Sequence, residues 1–592
     1  MLIAIPLTAF TIIMLCLIMH ENGYRKAFLG AAVCFGLLLT TATELLNLFS
    51  AISYFSLAMF WGVVALIALI YLIPKRGCLN IRNPGFENSG IIACIAPVLL
   101  TTLLIALIAP PNNWDSMTYH MARVVHWMQN GSVAHYPTHI TRQLYSAPWA
   151  EYAIMHLQIL GGGDRFANLV QWFAMCGSIM GVSLIAKELG ASNRIQALAA
   201  VITATIPMGI LQATSTQNDF VVAFWLACFV YYGMLLVKIP TIISAIAFGG
   251  SLGLAILTKG TAYIYAFPFL VWLVVVGLTT NRSRFVKHIL MAGLIAISLN
   301  AGHYWRNYAL WGNPLTTDGE TLTNDSISLK STLSNLTRNS ASNTWTPIKA
   351  INSLQFQGVV LVHELLGIDI SDPATSFNEV TFYQGKVSMD EDYAGNGLHL
   401  LLAFMAVGTL AIRRNSLPRP LLYYALSLAG GYLLFSMLLK WQPWGTRLQL
   451  PMFVLASPII AMALPIDRKK WVVPAFAVFM LVCSTPWLLS NQTRPLFGER
   501  SILHFDRESF YFAKRPKLES YYSQAVEQFM TRDSCNAIGL LSSSGNAYEY
   551  PFWALLNMRM KTLPRIEHIN VSNISGSITL HNFKPCFIFE LP

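Results

Sequence analysis

The residue best placed for chemistry is a single carboxylate that follows a long apolar run. Asp115 stands in PPNNWDSMTYH, directly after the uncharged stretch 89–114. A carboxylate held beside a hydroxyl can take its proton and so act as a general base. The same side chain could cap the helix that follows, because Asp accepts hydrogen bonds from the first backbone N–H groups of a helix. These two roles are compatible, and the sequence leaves both open.

Other charged residues stand at the ends of apolar runs. Asp219 opens the run FVVAFWLACFVYY, where it could bind an acceptor or a metal, or cap the helix that it begins. Glu151 is a second acidic candidate, with a solvated or paired surface group as the alternative. A departing phosphate needs fixed positive charge, which guanidinium supplies through two hydrogen bonds, and the alternative for each cation is contact with lipid headgroups. The candidate cations are Arg447, Lys259, Arg142 and Arg306.

Aromatic side chains surround the carboxylate at 115. Trp114, Tyr119 and His120 are candidates for contact with a sugar, although an interfacial aromatic belt explains most of the aromatic residues in these loops. The first-loop histidines lack the spacing of a defined metal site, so they are interpreted mainly as aromatic surface groups. They are His120, His126, His135, His139 and His156. The sequence names no certain cofactor and leaves a divalent metal open.

Composition indicates a membrane protein. The chain has 592 residues, of which 55% are hydrophobic and 11% are charged, and its mean hydropathy is +0.51. Soluble domains carry about a quarter charged residues, and a helix that crosses the bilayer needs about 20 apolar residues. About fourteen such runs occur, near 2–19, 27–48, 53–73, 90–109, 166–186, 195–213, 220–237, 241–257, 261–279, 286–302, 398–412, 420–438, 448–464 and 472–490. The sequence therefore predicts a polytopic α-helical membrane protein.

The orientation follows from Lys and Arg, which favour the cytoplasmic side of a membrane. Alternate connections, starting with 20–26, contain 17 of these residues. The other connections contain 11, although they include the long loops 110–165 and 303–397. We therefore expect a multi-pass protein whose N-terminus, long loops and C-terminal domain are extracytoplasmic. The net charge of +11 follows largely from this asymmetry, so no nucleic-acid partner is expected, only membrane lipids and substrates.

The chain divides into spans and outer segments. The first outer loop should carry two short interfacial helices, one after Asp115 that ends at Asn130-Gly131 and one over Trp149–Leu160. The patch 321–345 is predicted as a mobile loop, and strand and helix patterns in the tail predict a small α/β domain. In that tail Cys535 and Cys586 could pair in an oxidising compartment or stay free. The predicted units are 1–109, 110–165, 166–302, 303–397, 398–490 and 491–592.

Four motifs in order resemble one family of membrane enzymes. They are the acidic exit at Asp115, the second acidic element TQND (216–219), the turn LTKG in 253–268 and the arginine of TRLQLPMFVLASP (446–458). This arrangement resembles the GT-C glycosyltransferases, and within them the protein O-mannosyltransferase and aminoarabinose-transferase branch. In the family a second acidic residue often follows the first, where this chain has Ser116.

The resemblance implies a function. The chain would move one sugar from a polyprenyl-phosphate donor to a hydroxyl of a lipid, glycan or protein acceptor, with inversion, at the outer face of the bacterial inner (plasma) membrane. Asp115 would be the base and the cations named above would hold the phosphate. Alternatives are a transporter or flippase of a lipid-linked or polar substrate, or an enzyme like an O-antigen ligase or polymerase. Charged residues stand at the ends of the predicted spans and not at their centres. This disfavours transport, since transporters commonly carry ionisable groups at the centres of their spans.

Overall fold

The computed structural model describes residues 2–20, 23–78, 89–280, 282–464, 471–532, 534–579 and 583–592. Four basic residues behind the predicted orientation, Arg82, Arg468, Lys469 and Lys470, lie outside the described residues. Within these ranges nine helices are long and apolar enough to cross a membrane: Tyr24–Asn47, Tyr54–Lys75, Gly90–Ile108, Asp164–Glu188, Asp219–Lys238, Thr261–Thr280, Arg282–Trp311, Arg419–Leu438 and Val472–Leu489. Shorter apolar helices span Ala4–Ile18, Ile242–Thr258, Gly397–Ile412 and Leu450–Ala463. The predicted helical membrane architecture is confirmed, while the number of crossings stays a prediction.

One predicted span is broken into two helices. The apolar run 195–213 forms Asn193–Ala204 and Pro207–Gln212. The break falls at Ile206, whose ψ of 118° is extended, because a residue that precedes proline avoids the helical region. The side chain of Asn396 accepts a hydrogen bond from the Met208 backbone N–H at 3.0 Å, so the long loop supports the break.

The long loops and the tail meet at one end of the helices, here called the loop face. In the first loop Ser116–His120 forms a π-helical turn that continues into Met121–Asn130, which ends at Gly131 with φ 59°. The second helix is Trp149–Gly161. Both are buried over most of their length, which corrects the expected surface position. The amphipathic pattern does reflect one apolar face, but the tail packs over the polar one.

The long loop 303–397 is also ordered. It contains the helices Leu329–Asn343 and Lys349–Leu366. The prediction of a mobile loop over 321–345 is therefore wrong. Ser328 starts the first helix with a capping box to Ser331. Asn335 and Asn339 of this helix bind the segment 436–439, and Asn343 binds Gln449. Ser and Asn disfavour helix interiors, so the tertiary contacts decide the outcome.

The tail forms a small parallel sheet with two helices against it. Its strands are β1 (Ala537–Leu541), β2 (Arg565–His568) and β3 (Phe587–Glu590), in the order β2-β1-β3. The longer helices of the tail are Glu519–Met530 and Tyr550–Arg559. A disulfide joins Cys535 to Cys586, with Cα atoms 5.7 Å apart, and so links the chain just before β1 to the chain just before β3. This matches the predicted α/β pattern.

Candidate active site

Asp115 is buried at the loop face and does not cap its helix. The Asp115 side chain makes no capping hydrogen bond, and Asn113 Oδ1 accepts the Ser116 backbone N–H at 2.8 Å instead. The Asp115 carboxylate is bound by Arg447, whose Nη2 donates to Oδ2 at 2.6 Å. The helix-cap interpretation is thus replaced by an ion pair between residues that are far apart in the sequence.

Arg447 joins a second carboxylate to the first. It lies in the short buried helix Gly445–Leu448, and its Nη1 donates to Asp392 Oδ1 at 3.0 Å. The side chain of Gln217 donates to the same oxygen at 2.8 Å. One guanidinium therefore bridges the first outer loop and the long loop.

A further ion pair lies beside this cluster. Asp219 is the first residue of the helix Asp219–Lys238, and Lys259 Nζ donates to its Oδ1 at 2.5 Å. Lys259 has extended backbone between the helices that end at Thr258 and begin at Thr261. Burial lowers the pKa of Lys259, Asp219 opposes the shift, and the charge of Arg447 adds to it. The segment that precedes Asp219 contacts the Arg447 cluster directly, because the Thr216 and Ser116 hydroxyls lie 2.5 Å apart and Gln217 binds Asp392.

The electrostatics favour an ionised Asp115. Burial by itself would raise the pKa of this carboxyl, but the charges of Arg447, His120 and Arg142 outweigh burial and hold the pKa below its ordinary value. The same interaction with Asp115 raises the pKa of Arg447 despite burial. The carboxylate is therefore present as an acceptor of protons, restrained by its cation.

The aromatic candidates flank this carboxylate in two ways. The Arg142 guanidinium lies 5.3 Å from the centre of the Tyr119 ring, and the ring of Tyr119 is 4.2 Å from that of His120. Trp114 is covered by Arg515 of the tail, which stacks 4.3 Å from its ring centre. Tyr119 and Arg142 therefore lie near Asp115, whereas a face of Trp114 is occupied by protein.

Two of the predicted candidates form pairs of their own. Buried Glu151 accepts a hydrogen bond from Arg123 at 2.8 Å and contacts His120. Of the two alternatives for Glu151, a solvated or a paired group, the structure therefore has the paired one. Arg306 binds both oxygens of Glu44 at 2.7 and 2.8 Å. The structure therefore brings Asp115, Asp219, Arg447, Lys259 and Arg142 into one region and commits Arg306 elsewhere.

An acidic turn and its cations escaped the sequence analysis. The turn Asp390–Asp392 lies in the long loop, and Lys514 of the tail contacts Asp390 and lies 3.3 Å from Asp392 Oδ2. Arg494 and Thr493 bind the carboxylate of Glu391 at 3.4 and 2.6 Å. The only sequence signal was the run SMDEDYAG, because its cations come from a distant part of the chain.

A second buried cluster joins the first loop to the tail. Glu549 Oε1 accepts from His126 at 2.7 Å and from Trp553 at 3.1 Å. Its Oε2 accepts from Gln143 at 2.5 Å and from His568 at 3.2 Å. The first-loop histidines His120, His126 and His156 are buried, which corrects their interpretation as surface groups.

The Asp115 region and the Glu549 cluster differ in how well their residues could bind a metal ion. Around Asp115 and Asp219, Arg447 and Lys259 each pair with one carboxylate oxygen and would repel a divalent cation, although Asp219 Oδ2 has no partner among the described residues. His126, Glu549 and His568 offer ligand atoms within 4.8 Å of one another, a donor set that suits zinc. There, however, four N–H donors already surround the carboxylate.

Comparisons with known proteins agree with this architecture. Residues 146–305 match the model of the dolichyl-phosphate-mannose-protein mannosyltransferase family. No curated protein sequence matches the chain. ArnT from Cupriavidus metallidurans bound to undecaprenyl phosphate is 13% identical, with a TM-score of 0.51 over 83% of this chain and 88% of that one.

Two further solved structures are similar at lower scores. The apo state of the same ArnT is 14% identical, with a TM-score of 0.48 over 82% of this chain and 87% of that one. The oligosaccharyltransferase from Archaeoglobus fulgidus in its apo form is 12% identical, with a TM-score of 0.41 over 82% of this chain and 65% of that one.

The structural match and the family match support different conclusions. At 13% identity the first structural match establishes the fold, and the family match falls on the central spans that contain the motifs at 216–219 and 253–268. Together they confirm the recognition that rested on four short motifs: the chain has the GT-C fold, and its residues 146–305 match a family of membrane glycosyltransferases.

Proposed function

We propose that this protein moves a single sugar from a polyprenyl-phosphate donor to an acceptor hydroxyl at the loop face, which would be extracytoplasmic in the bacterial inner membrane. The observation that carries the proposal is the buried Asp115 carboxylate held 2.6 Å from Arg447. A carboxylate and a guanidinium side by side supply both a proton acceptor and a phosphate-binding group.

The proposed reaction is one displacement at the anomeric carbon. The acceptor oxygen forms a bond to this carbon while the bond from the carbon to the phosphate oxygen breaks, and its electron pair leaves with the polyprenyl phosphate. The proton of the acceptor hydroxyl goes to Asp115. The single displacement inverts the anomeric centre. One base is enough because the phosphate leaves without being protonated, whereas a glycosidase needs a second carboxyl group to protonate its leaving group.

The cations have a defined task in this scheme. Arg447 and Lys259 would bind the leaving phosphate, and Arg142 beside Tyr119 would contact donor or acceptor at the edge of the same region. When the phosphate attracts Arg447, Asp115 loses part of its counter-charge and becomes a stronger base. Donor binding would thus activate the residue that the ion pair restrains in the free protein.

The experiment uses the full-length protein in liposomes that contain a polyprenyl-phosphate-linked sugar and an extract of cell-envelope glycans and glycolipids. Mass spectrometry of the extract should reveal an added sugar and release of the polyprenyl phosphate. Movement of the donor across the bilayer with no new glycosidic bond would instead support the transporter. Addition of a whole glycan would support an enzyme like a ligase or polymerase.

A further inference from the structure

A cavity of about 970 Å³ lies between the first loop and the tail. Its walls come from the ends of the two first-loop helices, from the connection at 52–54 and from the tail helix Tyr550–Arg559. In the described part of the chain, none of the charged residues proposed for sugar transfer lines it. Trp553, which does line it, donates to Glu549 at 3.1 Å, so the cavity adjoins the Glu549 cluster. It is therefore a second site, separate from the Asp115 region.

The cavity borders the part of the loop face where a candidate span begins. Tyr54 lines the cavity and is the first residue of the span Tyr54–Lys75. The Ile52 backbone N–H donates to Gly131 O at 2.9 Å, which joins this connection to the end of the first-loop helix. Exposed apolar side chains stand beside it, at Leu48, Phe49 and Phe55. Because aromatic side chains at span ends lie at the bilayer surface, we expect the cavity to lie next to the membrane lipids.

The lining of the cavity is divided between apolar and polar side chains. Its apolar members are Ile52, Val125, Met128, Ile159, Met558 and Leu563. Its neutral polar members include Gln129, Asn130, Gln158 and Asn557. A pocket of this kind suits a ligand with both an apolar part and a hydrogen-bonding part. Together with the position beside the bilayer, the lining favours a lipid with a polar headgroup over a soluble sugar.

The cavity also offers a guanidinium with free donors. Arg565 lines it, is 54% exposed and donates from Nε to Glu567 at 3.0 Å. Among the described residues its Nη1 and Nη2 have no hydrogen-bond partner, so both can bind a phosphate. The carboxylate of Asp164, which also lines the cavity, is bound by Arg507 at 2.8 Å and by two tyrosine hydroxyls. It is therefore compensated and does not oppose an anion.

A buried acceptor in the cavity wall lacks a donor. Gln158 lines the cavity and is 6% exposed, and its Oε1 has no partner within the described ranges. A buried oxygen without a hydrogen bond is costly, and a hydroxyl of the ligand would satisfy it. A headgroup that combines a phosphodiester with a hydroxyl, as glycerol phosphate does, matches Arg565 and Gln158 together.

We propose that this cavity binds a membrane phospholipid with a glycerol headgroup. Its phosphodiester binds the Arg565 guanidinium, a headgroup hydroxyl donates to Gln158, and its acyl chains pass Tyr54 towards the bilayer. The lipid contacts the first loop and the tail at once, so its binding stabilises their attachment. This inference goes beyond the proposed function and is independent of the donor and the acceptor.

The test measures the melting temperature of delipidated, full-length protein in detergent micelles as phosphatidylglycerol is added. A ligand that binds only the folded protein raises the melting temperature, and the concentration dependence of this rise gives Kd. Arg565→Gln should raise Kd about tenfold, the loss expected for a hydrogen bond to a charged group. Lys561→Gln, at an exposed lysine of the same segment, is the matched control and should bind like the wild type.

Two partial ligands and a second variant sharpen the test. Glycerol 1-phosphate has the headgroup alone and diacylglycerol the chains alone, so each should stabilise the protein far less than phosphatidylglycerol. Leu563→Glu places a negative charge at an exposed position of the cavity wall and should also raise Kd about tenfold. This variant decides the matter if Arg565→Gln melts at a lower temperature even without lipid.

Weaker binding by both variants, with Lys561→Gln unchanged, supports the site. Equal responses of the wild type, Arg565→Gln and Leu563→Glu would reflect general contact with lipid and overturn the proposal. Equal stabilisation by glycerol 1-phosphate and phosphatidylglycerol would overturn the assignment of a lipid and make the ligand a free phosphate. A wild type that phosphatidylglycerol does not stabilise also overturns the proposal, while sugar transfer by the same protein keeps the proposed function intact.

Discussion

Two buried carboxylates at the loop face are neutralised in opposite ways. Asp115 is bound by one formal cation, Arg447, which it shares with Asp392. Glu549 accepts hydrogen bonds from four N–H groups, two on each oxygen. Among the described residues no Lys or Arg pairs with Glu549.

This difference separates a site that can bind a further anion from one that cannot. Arg447 donates two of its five N–H groups to the carboxylates, and its Nε has no partner among the described residues, so it keeps donors for a third anion. A carboxylate with four donors has filled its acceptor positions, and each donor would lose its partner if Glu549 moved. We therefore propose that the Asp115 cluster carries the chemistry and that the Glu549 cluster attaches the tail to the first loop.

The largest effect is expected from Asp115→Asn. If Asp115 is the general base, as proposed, its loss should lower kcat for sugar transfer about 10³-fold. Thermal stability should change far less, because Arg447 keeps Asp392 as its partner. Initial rates with a polyprenyl-phosphate sugar, together with a melting curve, check this split.

Asp164→Asn is a suitable control for this variant. Asp164 is another carboxylate of the loop face, bound by Arg507, Tyr511 and Tyr550 at 2.7–2.8 Å. Its loss should weaken packing of the tail and leave kcat nearly unchanged. Equal activity of Asp115→Asn and the wild type would remove Asp115 from the chemistry and direct attention to Asp219.

Glu549→Gln should lower the stability of the protein and leave sugar transfer itself unaffected. The amide presents its own N–H groups to some of the four donors, so the link between the first loop and the tail should weaken by about 3 kcal/mol, the cost of buried donors left without an acceptor. Hydrogen exchange in β1 should accelerate accordingly. Glu527→Gln, on a side chain that is 70% exposed, is the control. Unchanged exchange in Glu549→Gln would contradict the attachment role.

The pH dependence of Glu151 provides a smaller test of the first loop. Burial would raise the pKa of Glu151, but Arg123 and His120 prevail and lower it to about 2. A lowered pKa stabilises the fold above the unfolded value of about 4.3, and this contribution of about 3 kcal/mol is lost as the pH falls from there towards 2. Melting temperatures of the wild type should therefore fall more steeply in this window than those of Glu151→Gln. Parallel curves would refute the assigned shift.

Metal removal should have the smallest effect. If the four N–H donors satisfy Glu549, dialysis against a chelator should leave both the melting temperature and the hydrogen exchange of β2 unchanged. Elemental analysis of the purified protein provides the direct measurement. A stoichiometric zinc content that His126→Ala abolishes would make the cluster a metal site and would end the contrast with Asp115.

Sequence patterns predicted the membrane architecture well and the loops less well. Apolar runs specify helices because a bilayer demands that each segment satisfies its own backbone hydrogen bonds. The strand at 536–541 was also predictable, since its apolar residues point to a compact sheet. The polar patch 321–345 was misjudged, because its helix is stabilised by contacts such as that of Arg338 with Thr375 and Ser376.

The sequence by itself determined the class of the molecule and the order of its acidic and basic motifs, and it singled out Asp115 as a candidate, since these depend on local composition and spacing. Only the tertiary structure decided which charged side chains pair with one another. Arg447 is 332 positions from Asp115, and Lys514 is 122 from Asp392. Such pairs form because buried charges must find compensation wherever the fold brings it, and no local pattern encodes a partner so far along the chain.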